Sequence, residues 1–189
     1  MKKYILPSIV LSIVSMLVFV VIYTLIVWGI GYAVAPNHGN GEVVTVNGKV
    51  VGYKLVGQSF TQAKYFNGRP SSTTPAYNAA SSGGSNKGPS NPDYLKGVQA
   101  AIDTFMKYNP TIKKEDVPVE MVTMSGSGLD PDISPKAAMV QIPRIAKERH
   151  LSEEQLTALV NKHIEKPFLG PAHINVLLLN VDLDGLAAK

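Results

Sequence analysis

Between Ile5 and Ala35 the chain carries no charged side chain and is almost wholly apolar, a combination that no later stretch of this length repeats. A run of this kind cannot be hidden in the core of a domain of the size that follows. Wound as a helix at ~1.5 Å per residue, Ile5 to Val34 reaches ~45 Å, against ~30 Å for the hydrocarbon of a bilayer. The sequence therefore predicts one spanning helix with tilt, its membrane core at about residues 8–28. Pro7 suits a first helical turn, where its missing N–H is not needed. Tyr4, Tyr23, Trp28 and Tyr32 bracket the ends, where amphipathic rings favour the interface. The organisation expected is a cytoplasmic tip and transmembrane helix over 1–35, then an extracytoplasmic domain over 36–189.

The flanks set the orientation. Lys2 and Lys3 precede the run, and the next Lys or Arg is Lys49. The positive-inside bias keeps the N-terminus in the cytoplasm and sends the domain outside the cell membrane. A cleaved signal peptide is the competing reading, since Ala33-Val34-Ala35 is an A-x-A site. The apolar run is about twice a usual 7–15-residue signal core, and Pro36 directly after the site disfavours cleavage.

Beyond residue 35 the charge is nearly balanced: of 18 Lys and Arg, two precede the run, leaving 16 against 14 Asp and Glu. These charges are scattered, which excludes the clustered footprint of a nucleic-acid binder. There is no cysteine, hence no disulfide or thiolate site.

The outer segment reads as a compact α+β domain. Glu42–Val46 and Lys49–Val56 are β-rich runs joined by Asn47-Gly48, a strong hairpin signal. Val119–Thr123 reads as a further strand, and Ile174–Leu183 as a C-terminal strand rich enough in Leu and Val to be central. Three helices are predicted. The first starts at Asn91-Pro92 and buries Val98, Ala101, Ile102 and Phe105. The second starts at Ser134-Pro135 and is kinked by Pro143. The third starts at Ser152, whose Gln155 completes a capping box. Arg69–Asp93 is rich in Ser, Pro, Gly and Asn. Its polar side chains can bond the turns they create, so it is expected to be an ordered loop.

No catalytic or metal site emerges. Ser82-Gly83-Gly84-Ser85-Asn86 and Ser125-Gly126-Ser127-Gly128-Leu129-Asp130 could cradle an anion through successive N–H groups, but neither has P-loop spacing. An EF-hand beginning at Asp130 would need Gly and Glu where Pro135 and Gln141 stand. The four histidines lack zinc spacing. Val50-Val51-Gly52-Tyr53 resembles a potassium filter loop only superficially, since it follows a hairpin turn in a water-exposed segment.

The order of short motifs is more specific. Gln58-Ser59-Phe60, Tyr65-Phe66, Arg69-Pro70-Ser71, Tyr77-Asn78 and the first serine-glycine loop precede Ser125–Pro131. Gln141, Pro143-Arg144, Asn175-Val176-Leu177 and Leu179-Asn180 follow. This series resembles the C subunit of the Kdp potassium-transporting ATPase over essentially the whole chain. One position departs, Asp132, where many members carry His.

The resemblance implies a non-catalytic accessory subunit of a high-affinity, ATP-driven potassium uptake complex. Its partners would be a channel-like A subunit, an ATP-hydrolysing P-type B subunit and a small F subunit, within the lipid bilayer. The C subunit would assemble the complex and act as catalytic chaperone, with ATP and potassium handled by the complex and no cofactor of its own. Arg69, Asn78, Ser82, Gly83, Gly84 and Asn86 are the expected partner-facing residues, with Arg69 as anchor. Valine at Gly83 and Gly84 is expected to strain the backbone wherever φ is positive. Two alternatives remain at this point. One is a regulatory nucleotide-binding subunit using Ser125, Gly126, Ser127, Gly128 and Asp130. The other is an anchored extracytoplasmic enzyme.

Overall fold

The computed structural model describes residues 2–187; Met1 and the last two residues of the 36–189 segment lie outside the described residues. The chain divides into two compact units, Met1–Glu42 and Val43–Lys189.

The first unit is a helical rod. Helix α1 (Lys2–Met16) and helix α2 (Tyr23–Val34) are joined without a break by wider π-helical turns over Leu17–Ile22. From Lys3 to Val34 the rod has a mean hydropathy of 2.9 over its most apolar window, none of it buried by protein, as expected of a segment whose solvent is lipid. It ends where Ala35 turns extended at ψ 148°. Asn37 and His38 then adopt left-handed φ of 51° and 53°, which folds the His38 ring back onto Tyr32 at 4.5 Å.

The second unit begins with the expected hairpin. Strand β1 (Val43–Val46) pairs antiparallel with β2 (Lys49–Tyr53). Asn47 and Gly48 both sit at positive φ, 50° and 77°, the conformation that a two-residue turn of matching twist requires. Helix α3 (Pro92–Tyr108) is capped by Asn91, whose side chain accepts from the Asp93 and Tyr94 N–H groups at 3.0 Å.

The segment expected as a strand at Val119–Thr123 is instead a 3₁₀ turn over Val119–Met121. Met121 and Val122, adjacent in sequence, are both buried while Val119 is exposed. A strand would send neighbours to opposite faces, so this burial pattern suits a turn. The second helix is two: α4 (Pro135–Met139), capped by Ser134, and α5 (Ile142–Arg149). Pro143 lies in the first turn of α5, so it starts a new helix and does not bend an old one. Helix α6 (Glu153–Lys162) carries both arms of the Ser152–Gln155 capping box, at 3.1 and 3.2 Å.

The C-terminal strand exists but is short. Strand β4 (Ile174–Asn175) pairs antiparallel with β3 (Asp132–Ile133), and the rest of the run, Val176–Ala187, is helix α7. The switch occurs at Asn175, whose Oδ1 accepts from the Leu178 N–H at 3.1 Å and so caps the new helix. Val176, Leu179, Asn180 and Leu183 are buried at helical spacing. Val176, Leu179 and Leu183 join Phe66, Ile145, Leu156, Val160 and Ile174 in one core.

Candidate functional site

Phe66 is fully buried although no regular element holds it. The connector around it is gripped by polar side chains from the helices. Asn180 Oδ1 accepts from the Phe66 N–H, and Asn180 Nδ2 donates to the Phe66 carbonyl, both at 2.9 Å, replacing a strand partner. Gln141 does the same for Asn67, accepting its N–H at 2.8 Å and donating to its carbonyl at 3.2 Å.

Arg144, also buried, is the centre of this clamp. A guanidinium has five N–H groups in a fixed fork. Nε donates to Asn109 Oδ1 at 3.1 Å; Nη1 donates to the carbonyls of Tyr65 at 3.0 Å and Ala63; Nη2 donates to Asn67 Oδ1 at 3.1 Å and Gln141 Oε1 at 2.7 Å. Burial pulls the guanidinium down to about 10, which still leaves it charged at neutral pH. Arg149 extends the grip outward, donating to the Lys64 carbonyl at 2.7 Å and to Asp184 at 2.6 Å, with its guanidinium 4.7 Å over the Tyr65 ring.

From this clamp the chain enters the long loop, which is tied to the second glycine-rich loop at Arg69, Ser71, Ser82 and Gly83. Gly83 N–H donates to the Ser127 carbonyl at 2.9 Å, and Ser82 Oγ donates to the same oxygen at 3.0 Å. Ser71 Oγ donates to the Gly128 carbonyl at 2.7 Å, and Ser72 Oγ to the Gly83 carbonyl. Arg69 bonds Asp130 at 2.9 Å and reaches the Met124 carbonyl at 3.4 Å. It thus joins two loops of its own chain. Asn78 caps the short turn Ala79–Ser81. Asn86 is exposed, with φ at 52°.

At Gly84 the two loops press together so closely that a side chain would be crowded. A Cβ on Gly84 would lie 3.0 Å from the Gly126 carbonyl oxygen, whereas one on Gly83 would meet nothing within 4 Å. Neither residue has positive φ, so the strain expected there from φ does not arise. The demanding position is Gly128, at φ +70°. Gly57 plays a similar part: its N–H donates to the Leu129 carbonyl at 2.7 Å, and a Cβ there would lie 2.5 Å from the Asp130 carbonyl oxygen.

Tyr77 locks the assembly, donating its hydroxyl to the Arg69 carbonyl at 2.6 Å. Burial, reinforced by Asp130, pushes its phenol from 10.0 up to about 12. The fold therefore favours the neutral phenol, and the stability this contributes is full below pH 10 and lost as pH rises through about 12. Tyr77→Phe is expected to lose about 1 kcal/mol at pH 8 with its hydrogen bond. Urea midpoints measured from pH 8 to pH 12 should then fall less steeply for the variant than for the wild type; parallel curves would contradict this.

The candidate residues Arg69, Ser82, Gly83, Gly84, Ser127, Gly128 and Asp130 thus come together as one doubly looped surface, while Ser125 is buried behind it. Sequence reasoning did not single out Gln141, Arg144 and Asn180 as a unit. The available signal was polar side chains at positions where the helical period demands apolar ones. Among the described residues no group of three or more His, Asp or Glu is arranged to hold a metal ion.

These features define a membrane-anchored domain whose polar side chains are spent on holding irregular segments in place. A family profile described as KdpC, K+-transporting ATPase, c chain, matches residues 5–185. The Potassium-transporting ATPase KdpC subunit of Flavobacterium johnsoniae is 54% identical over 176 residues, covering 93% of this chain and 94% of that one. The protein of the same description from Phocaeicola vulgatus is 52% identical over 187 residues (97% and 98%), and that from Bacillus cytotoxicus is 44% identical over 165 residues (86% and 85%). The chain belongs to the KdpC family. Membership makes it an accessory, non-catalytic subunit of the Kdp P-type ATPase. The match begins inside the apolar run, so the helix is part of the family architecture: the chain crosses the membrane once, N-terminus in the cytoplasm.

Proposed function

We propose that the chain assembles and steadies an ATP-driven potassium uptake complex from the outer side of the membrane. Its helix packs beside the channel-like A subunit and the small F subunit. Its outer domain, residues 36–189, docks through the loops that contain Arg69, Asn78, Ser82, Gly83, Gly84 and Asn86. By fixing the geometry of the complex it acts as catalytic chaperone for the ATP-hydrolysing B subunit. The family match over both the helix and the domain carries this reading.

The loop geometry favours docking over nucleotide binding. A phosphate cradle needs several backbone N–H groups converging on empty space. Here the Gly83 N–H is taken by the Ser127 carbonyl, the Gly128 N–H by the Ser125 carbonyl at 3.3 Å, and the Leu129 N–H by Ser127 Oγ at 3.1 Å.

Affinity purification of the tagged chain from membranes, with identification of the bound chains, tests the proposal. Co-purification of a polytopic potassium-transport subunit and a P-type ATPase subunit is expected, and isolation of the chain alone would overturn it. Arg69→Ala should lower recovery of the complex several-fold by loosening the two loops. Its ion pair is partly exposed, so the effect on folding itself should be small.

A further inference from the structure

Pro167 to Pro171 forms a tip whose base is closed by reciprocal Glu165–His173 backbone hydrogen bonds of 2.9 and 3.0 Å. Phe168 is 100% exposed and Leu169 is 82% exposed. Pro167 and Pro171 fix φ at either end of the tip, and Gly170 turns it at φ +112°. A Phe and a Leu presented on a tip closed at its base, with almost no packing of their own, have the character of binding anchors.

Beside the tip lies an open cleft of about 540 Å³, with Leu169, Gly170 and Pro171 on one wall and Arg69, Glu120, Asp130 and Asp132 on the other. Arg69 is engaged by Asp130. Desolvation raises the Asp132 carboxyl above the ordinary range, opposed by His173 and an Asn175 hydrogen bond and reinforced by Asp130 and Glu165. A cation entering the cleft would meet the Glu120 and Asp132 carboxylates. An anionic lipid surface fits poorly, since it would meet the Glu120 and Asp132 carboxylates.

We propose that Phe168 and Leu169, with the carboxylate-lined cleft of Glu120 and Asp132, dock an outer loop of a membrane-embedded partner subunit. That loop offers an apolar pocket to the tip and a Lys or Arg side chain to the cleft. The inference rests on the assembly role proposed above and names the surface and the chemistry of the partner.

The test uses the full chain in detergent-purified complexes. With Phe168 replaced by photoreactive p-benzoylphenylalanine, a cross-link to a polytopic partner within a loop containing Lys or Arg is expected. Phe168→Ser with Leu169→Ser should lower recovery of the complex about tenfold or more. Leu55→Ser, at a residue also 71% exposed, should leave recovery unchanged. Asp132→Lys should lower recovery as well, and high salt should weaken the wild-type complex. Cross-links only to phospholipid or to a second copy of this chain would overturn the inference. So would wild-type recovery of the double serine variant. If the wild-type chain binds no partner at all, the assembly role falls and this inference with it. If the wild-type complex forms and the double variant forms equally well, only this inference falls.

Discussion

Replacing Arg144 by alanine is expected to destabilise the chain by about 3–5 kcal/mol, enough to leave much of it unfolded. Five acceptors lose the guanidinium at once: the Ala63 and Tyr65 carbonyls and the side-chain oxygens of Asn67, Asn109 and Gln141, of which Gln141 Oε1 keeps the Asn67 N–H. An unsatisfied buried polar group costs about 1–3 kcal/mol, and neighbouring losses do not simply add. The connector that carries Phe66 into the core would be released with them. Arg144→Lys should recover little, because an ammonium offers three donors around one point and cannot span a planar fork. Urea unfolding of the full chain in mild detergent reads the effect. A midpoint within experimental error of the wild type for Arg144→Ala would refute the clamp.

The clamp also shows what a sequence of this kind reveals and what it hides. Features set by local chemistry were legible. The Asn47-Gly48 turn, the caps at Asn91, Ser134 and Ser152, and the charge-free span all follow from interactions within a few residues. What was misread depends on distant partners. Val119–Thr123 has strand propensity, but Pro118 directs the backbone into a turn and the core takes Met121 and Val122 together. Ile174–Leu183 looks like a central strand by composition. Yet only a two-residue partner is present, and after Asn175 the Leu-rich stretch satisfies its backbone internally as helix. The site divides in the same way. Which residues form loops was visible in Gly and Ser content, whereas the pairing of 69–86 with 125–130 joins positions more than forty residues apart. Arg69 could be nominated as an anchor, but that its carboxylate is Asp130 needed the fold.

The pairing of these loops should depend on Gly128 more than on any other glycine in them. Gly128→Val combines two penalties. At φ +70° a β-branched residue is strained by about 1–2 kcal/mol or more. Its Cβ would also lie 2.9 Å from Thr73 Cγ2, 3.0 Å from the Gly83 carbonyl oxygen and 3.0 Å from Ser72 Oγ, inside the seam itself. Relief requires the loops to part, which would cost the Ser71–Gly128, Ser82–Ser127 and Gly83–Ser127 hydrogen bonds together. The core formed by α5, α6 and α7 lies elsewhere in the domain and should stay folded. The expected result is therefore local: rapid proteolytic nicking within residues 69–93 of the full chain, loss of complex assembly, and a largely retained helical signal. Gly83→Ala is the matched control, since its Cβ meets nothing within 4 Å and its φ is not positive. It should resist protease like the wild type. Gly84→Ala, 3.0 Å from the Gly126 carbonyl oxygen, should fall between the two. Equal protease resistance of Gly128→Val and Gly83→Ala would mean that the seam does not hold the long loop.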